Sequence, residues 1–149
     1  KGRAIFSSCK DSAYMIKSFQ DNTDTDRSWN WISENLVAAR AWTNNTAFAK
    51  YNFNIEPGHE SDYMNSWKNF MSSQLNTFDG SFGLNRIAYG NRYVSHMVYL
   101  GADSMDKLDK GIKSATSSKE FMDFASDVSS IRQNINVELV QLVKFYTGE

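Results

Sequence analysis

The 149-residue chain has one cysteine, one proline and two histidines. Cys9 alone excludes an internal disulfide. That usage fits a reducing compartment, so a cytoplasmic location is expected, with a processed periplasmic or secreted form as the alternative. The chain starts at Lys1 rather than Met, as expected of an N-terminus cut by processing or by the choice of fragment. Charge of one sign is missing too: 16 basic residues face 17 acidic ones, for a net −1. This balance removes an electrostatic claim on nucleic acid or an anionic membrane, so neither is expected as a partner. Apolar runs are as short as Met97-Val98-Tyr99-Leu100, too short to span a bilayer as a helix. There is no Gly-rich phosphate loop, no Cys/His metal spacing and no Gly-x-Ser-x-Gly elbow. Phosphoryl transfer, zinc chemistry and serine hydrolysis therefore lack support, and no metal or cofactor is implied.

What is present is aromatic residues at 14% within 41% apolar residues. A chain of this length buries roughly 70% of its unfolded surface and needs no staple. No Pro/Gly/Ser-rich linker or like-charge block divides it. It reads as an N-terminal extension over 1–46 followed by an α+β domain over 47–149. In the extension, Arg3 to Ser8 is a strand candidate, and Met15, Ile16 and Phe19 share one face of a short helix. Trp29, Ile32, Leu36 and Ala39 recur at three- and four-residue steps, which predicts a second helix ended by Asn44-Asn45-Thr46.

The domain has the stronger pattern. Ala47 to Ile55 alternates, and Pro57-Gly58 breaks it. Ser61 is then expected to cap a helix with the stripe Tyr63, Met64, Trp67, Phe70, Met71 and Leu75. Phe82 to Tyr89 and Tyr93 to Leu100 form a hairpin about Gly90-Asn91. Helices follow with Met105, Leu108 and Ile112, then Phe121, Phe124, Ala125 and Val128, and a last strand from Val137 to Tyr146. Strand, helix, strand, strand, helix, strand is the split βαβ or ferredoxin-like plan, with helices on one sheet face. Tyr93, Met97 and Tyr99 oppose Val94, Val98 and Leu100, and Val137, Leu139, Val143 and Phe145 oppose Val140, Leu142 and Tyr146. Strands apolar on both faces need cover on both, from the extension or from a second copy of the chain.

This element order, the Trp67-bearing first helix and Ile131-Arg132-Gln133-Asn134 before the final strand resemble the dimeric α+β barrel superfamily. The resemblance covers about residues 47–146. It implies a homodimer packed sheet against sheet. The superfamily's range includes cofactor-free monooxygenases, muconolactone isomerase-like proteins, haem-binding relatives, stress-response proteins and many uncharacterised bacterial members. Fold alone does not choose among these chemistries.

The candidate residues follow from placement on these elements. His96 lies mid-strand and, facing the space between sheet and helices, would be a general base; otherwise it is a core or interface histidine. Arg132 is either a catalytic, substrate-orienting fork or the partner of Glu138 or Asp127. Tyr51, Trp67, Arg86, Met97 and Tyr99 are expected around a ligand pocket. His59, Glu60 and Asp62 read as charges at a helix start rather than metal ligands. Cys9 beside Lys10 reads as a small residue at a strand end. Arg86 and Arg92 near Tyr89 and Tyr93 lack the RNP pattern of an RNA platform. The leading expectation is a small-molecule-binding or accessory domain whose partners are an apolar or aromatic ligand and a second copy. The alternatives are a cofactor-independent monooxygenase- or isomerase-like enzyme, and a structural dimerisation domain without a ligand.

Overall fold

The computed structural model describes Lys17, Ser18, Asp21 and residues 31–143. The chain divides into two compact units, residues 1–30 and 31–149. In the first, Lys17, Ser18 and Asp21 are helical, and Lys17 pairs with Asp21 one turn on at 3.2 Å. The expected strand over 3–8, Met15, Ile16, Phe19 and Cys9 lie outside the described residues.

The second unit holds strand β1 (Ile32–Ala39), β2 (Ala47–Ile55), helix α1 (Glu60–Gln74), β3 (Ser81–Tyr89), β4 (His96–Ala102), α2 (Met105–Thr116), α3 (Lys119–Val128) and β5 (Arg132–Gln141). The strands form one antiparallel sheet in the order β1-β3-β4-β2-β5. The last four strands have the ferredoxin-like order, so the α+β fold is as expected, with β1 added at the β3 edge.

β1 corrects the helix predicted through Ile32, Leu36 and Ala39. Its pairing with β3 shifts register between Ile32 and Ser33 and again between Asn35 and Val37. The first shift leaves Ala88 of β3 as the extra residue, and the second leaves Leu36 as an extra residue in the two-residue alternation of β1. The apolar residues then recur at three and four positions, and a bulged strand imitates a helix. The Asn44-Asn45-Thr46 stretch joins β1 to β2 rather than ending a helix.

β2 matches its predicted bounds. Its odd-numbered residues from Ala47 to Ile55 turn toward the core, with Ala49 and Phe53 fully enclosed. α1 begins one residue before the predicted Ser61 cap: His59 is the N-cap, and Glu60 folds back to accept from the Gly58 amide at 3.0 Å. β4 begins at His96 rather than Tyr93, because the Asn91 side chain accepts from the amides of Tyr93 and Val94 and holds them in the connection. α2 and α3 are capped as sequence chemistry requires, the Ser104 and Ser118 hydroxyls accepting from the amides of Lys107 and Phe121. β5 starts five residues before the predicted Val137, since Arg132 already pairs with Ile55 as α3 ends. Phe145 and Tyr146 lie outside the described residues.

The core lies between one sheet face and the helices. Phe53, Leu84, Val98 and Leu100 from the strands meet Tyr63, Trp67, Phe70, Leu108 and Phe124 from the helices. On the opposite face, Asn52 is buried and donates to Asn136 and Glu138, while Lys50 pairs with Glu138 at 2.8 Å.

Candidate functional site

The helix-side core does not fill completely. A cavity of about 310 Å³ remains between α1, α2, α3 and strands β2, β4 and β5. Its walls are mostly aromatic because α1 and α3 each turn a ring-bearing stripe toward the sheet. Phe124 of α3 is the hub: Tyr63, Trp67 and Phe70 of α1 lie 5.8, 5.8 and 5.3 Å from its ring centre. Phe53 extends the cluster from the sheet, 5.0 Å from Tyr63. Such offset and edge-on pairs add about 0.5–1.5 kcal/mol each beyond area burial, so the wall is stiff.

A few polar groups converge on this apolar space. Arg132 enters it at the start of β5, its guanidinium 5.6 Å from the Phe124 ring centre. Plain alternation would put Arg132 and Val137 on opposite faces of β5. A register shift opposite Asn52 and Phe53 inserts Ile135, and so Arg132, Asn134 and Val137 all line the cavity. Glu138 is engaged by Lys50, and Asp127 accepts from Ser66, so neither expected acid pairs with Arg132. Tyr63 lies beside it. Burial pushes the Tyr63 phenol up to about 12, against the partial opposing pull of the Arg132 charge and hydrogen bond. Tyr51 is also raised by burial. Trp67 is 4% exposed and lines the cavity, and its Nε1–H has no hydrogen-bond partner. A buried donor left unmet costs about 1–3 kcal/mol.

Of the residues predicted around the site, Tyr51, Trp67 and Arg132 therefore line the cavity. His96 is on the helix side of the sheet, as its pairing with Phe53 requires, but it is not in the cavity wall. It stacks on Phe53 at 6.1 Å, and its Nδ1 lies 2.9 Å from the Ser95 hydroxyl. Burial lowers its pKa; nearby Glu60 opposes this and Arg86 reinforces it. Arg86, paired across the sheet with His96, instead reaches Glu34 of β1 at 2.5 Å. Met97 and Tyr99 alternate with Val98 and Leu100, which puts both on the sheet face away from the cavity. Sequence reasoning missed Tyr63, Phe53 and Phe124 as wall residues. Their helical and strand spacing marked them as core, and core residues become a wall only where packing leaves a gap.

Elsewhere, His59 Nδ1 lies 3.0 Å from Asp62, and no cluster of metal-ligating side chains exists among the described residues. A second hollow of about 400 Å³, lined by Phe78, Ala102 and Gly111 as well as by Asp79, Asp103 and Lys107, holds an internal ion pair, Lys107 on Asp103 at 2.6 Å. No helix among the described residues is long and apolar enough to cross a membrane.

No family model and no curated protein matches the sequence. Solved structures do. A major regulator of staphylococcal pathogenesis superposes with TM-score 0.54 at 16% identity, over 83% of this chain and 75% of that one. The haem-degrading enzyme of Listeria monocytogenes gives 0.54 at 7% identity, over 87% and 93%. An uncharacterised ferredoxin-fold protein from the same organism, related to antibiotic biosynthesis monooxygenases, gives 0.54 at 6% identity, over 89% of both chains. At these identities the likeness is one of architecture: the chain has the ferredoxin-like α+β fold shared by the antibiotic-biosynthesis-monooxygenase-like and haem-degrading proteins.

Proposed function

We propose that this protein binds a small apolar or aromatic molecule in the cavity between the sheet and its helices. The observation that carries this reading is the cavity: about 310 Å³, walled by aromatic rings and entered by a few polar groups. Ligand pockets are built this way, and the volume falls in their usual range. It is about twice the ~150 Å³ that accepts a benzene molecule in an otherwise dry core, so a two-ring compound fits.

Binding is favoured over acid–base catalysis by what the wall holds. Its titratable groups include Tyr51 and Tyr63, both raised by burial and so protonated at neutral pH, while His96 stands outside it. The second reading, a cofactor-independent monooxygenase-like enzyme, draws support from fold neighbours described as a haem-degrading enzyme and as a relative of antibiotic biosynthesis monooxygenases. On that reading the proton must leave the substrate by a route other than His96.

The test is a thermal-shift titration with neutral two-ring probes such as 2-naphthamide, on the wild type and on Ala115→Leu, which narrows the cavity. Binding to the wild type at 100 times Kd adds about 2.7 kcal/mol of stability, and the narrowed variant shows a smaller shift at the same concentration. Equal shifts in both proteins, or none in either, would reject the cavity as the site. Oxygen uptake with two-ring phenols then separates binder from oxygenase.

A further inference from the structure

We infer that the ligand of this cavity is an acid: a flat apolar body with an anionic oxygen set against Arg132 and an acceptor atom that meets Trp67 Nε1–H. The inference rests on the cavity being the ligand site and adds the chemical class.

Two independent observations carry it. Arg132 brings a guanidinium, which stays charged, into a wall that is otherwise mostly apolar and carries no other charge. No acid among the described residues compensates it, since Glu138 and Asp127 are committed elsewhere. Its company is the face of Phe124 and the phenol of Tyr63. A guanidinium stacked on a ring keeps its N–H edge available, and that edge matches a carboxylate with two parallel hydrogen bonds. The other observation is the indole of Trp67, 4% exposed, in the cavity wall and without an acceptor. Phe124 touches both groups, 5.8 Å from the Trp67 ring and 5.6 Å from the guanidinium carbon, so a compound of one or two rings reaches from one to the other. Arg132 is the one charged group among the lining residues, while Asn134, Asn136 and Thr116 are neutral and can donate or accept. A cation would meet no complementary charge there.

The experiment compares 2-naphthoate with 2-naphthamide, equal in shape and different in charge, by calorimetry on the whole chain. The acid is expected to bind roughly tenfold tighter. Arg132→Gln removes that preference and leaves amide affinity within a factor of about two, while Arg132→Lys keeps part of it. Trp67→Phe weakens both compounds and identifies the Trp67 indole resonance, which must shift in the wild type when naphthoate is added. Equal affinity for acid and amide, a preference that survives Arg132→Gln, or an unmoved indole signal would each overturn the inference while the cavity stands as a neutral site. Failure of both compounds to bind at millimolar concentration would overturn the cavity reading along with it. Should Arg132→Gln not fold, the wild-type affinity ratio and the indole shift decide by themselves.

Discussion

At the scale of the residue, Phe124 carries the most. It touches Tyr63, Trp67, Phe70, Phe121 and Arg132. Truncating such a side chain removes its transfer energy and enlarges a cavity that already exists. Phe124→Ala should cost about 3–5 kcal/mol in urea denaturation; a loss under 1 kcal/mol would mean the cluster is looser than its ring spacings imply. His96 sets a pH dependence. It is 4% exposed and its pKa is lowered chiefly by burial. The unfolded chain therefore takes up the proton more readily than the folded one. Its contribution to stability is complete above the ordinary histidine value near 6.5. That contribution is lost as pH falls through this value and on through the depressed folded one. Denaturation curves from pH 8 to 5 should show this decline, and His96→Gln should flatten it. Tyr63 works with the opposite sign: raised to about 12, it favours the fold below pH 10 and is lost as pH climbs toward 12.

At the scale of the element, local chemistry and packing sometimes oppose each other, and Gly111 in α2 is the clearest case. By propensity, Gly111→Ala should strengthen the helix by about 0.5–1 kcal/mol. A Cβ there would sit 2.4 Å from the ring of Phe78, which is buried. The substitution should therefore lower the melting temperature, and a rise would show that the Phe78 loop yields. Element by element, β2, β3 and the two capped helices were legible because burial on one face leaves a clean period of two or 3.6. β1 was not, since the extra residue Leu36 breaks that period. The starts of β4 and β5 were displaced for a related reason: Asn91 holds the residues before β4 out of the ladder, and the turn ending α3 delivers Arg132 directly onto Ile55.

At the scale of the whole molecule, β5 is the edge of the sheet, with β2 its only neighbour among the described residues. Val137 and Leu139 are 58% and 68% exposed there. An edge strand with open hydrogen-bonding groups and apolar side chains favours pairing with another chain. A dimer through this edge, rather than through the sheet faces as the family resemblance implies, is thus a proposal with a location. Sedimentation should give a dimer at micromolar concentration and a monomer for Leu139→Asp. A wild-type monomer would dismiss this reading and leave the apolar row as ordinary surface.

Much of the molecule follows from the order of residues alone. Alternation and the three- to four-residue stripe dictate which side chains seek the interior, and serines before the last two helices dictate where those begin. These suffice for a ferredoxin-like α+β unit, and they bring Tyr51 and Trp67 to the sheet–helix space. Only the tertiary structure decided which of the other candidates join them. Met97, Tyr99 and Arg86 are carried elsewhere by strand parity and by Glu34, and His96 is absorbed into the stack on Phe53. Arg132 arrives in the cavity through one extra residue in β5. Whether that residue bulges depends on how β5 is held against β2, an interaction across some eighty positions of chain that no local pattern contains.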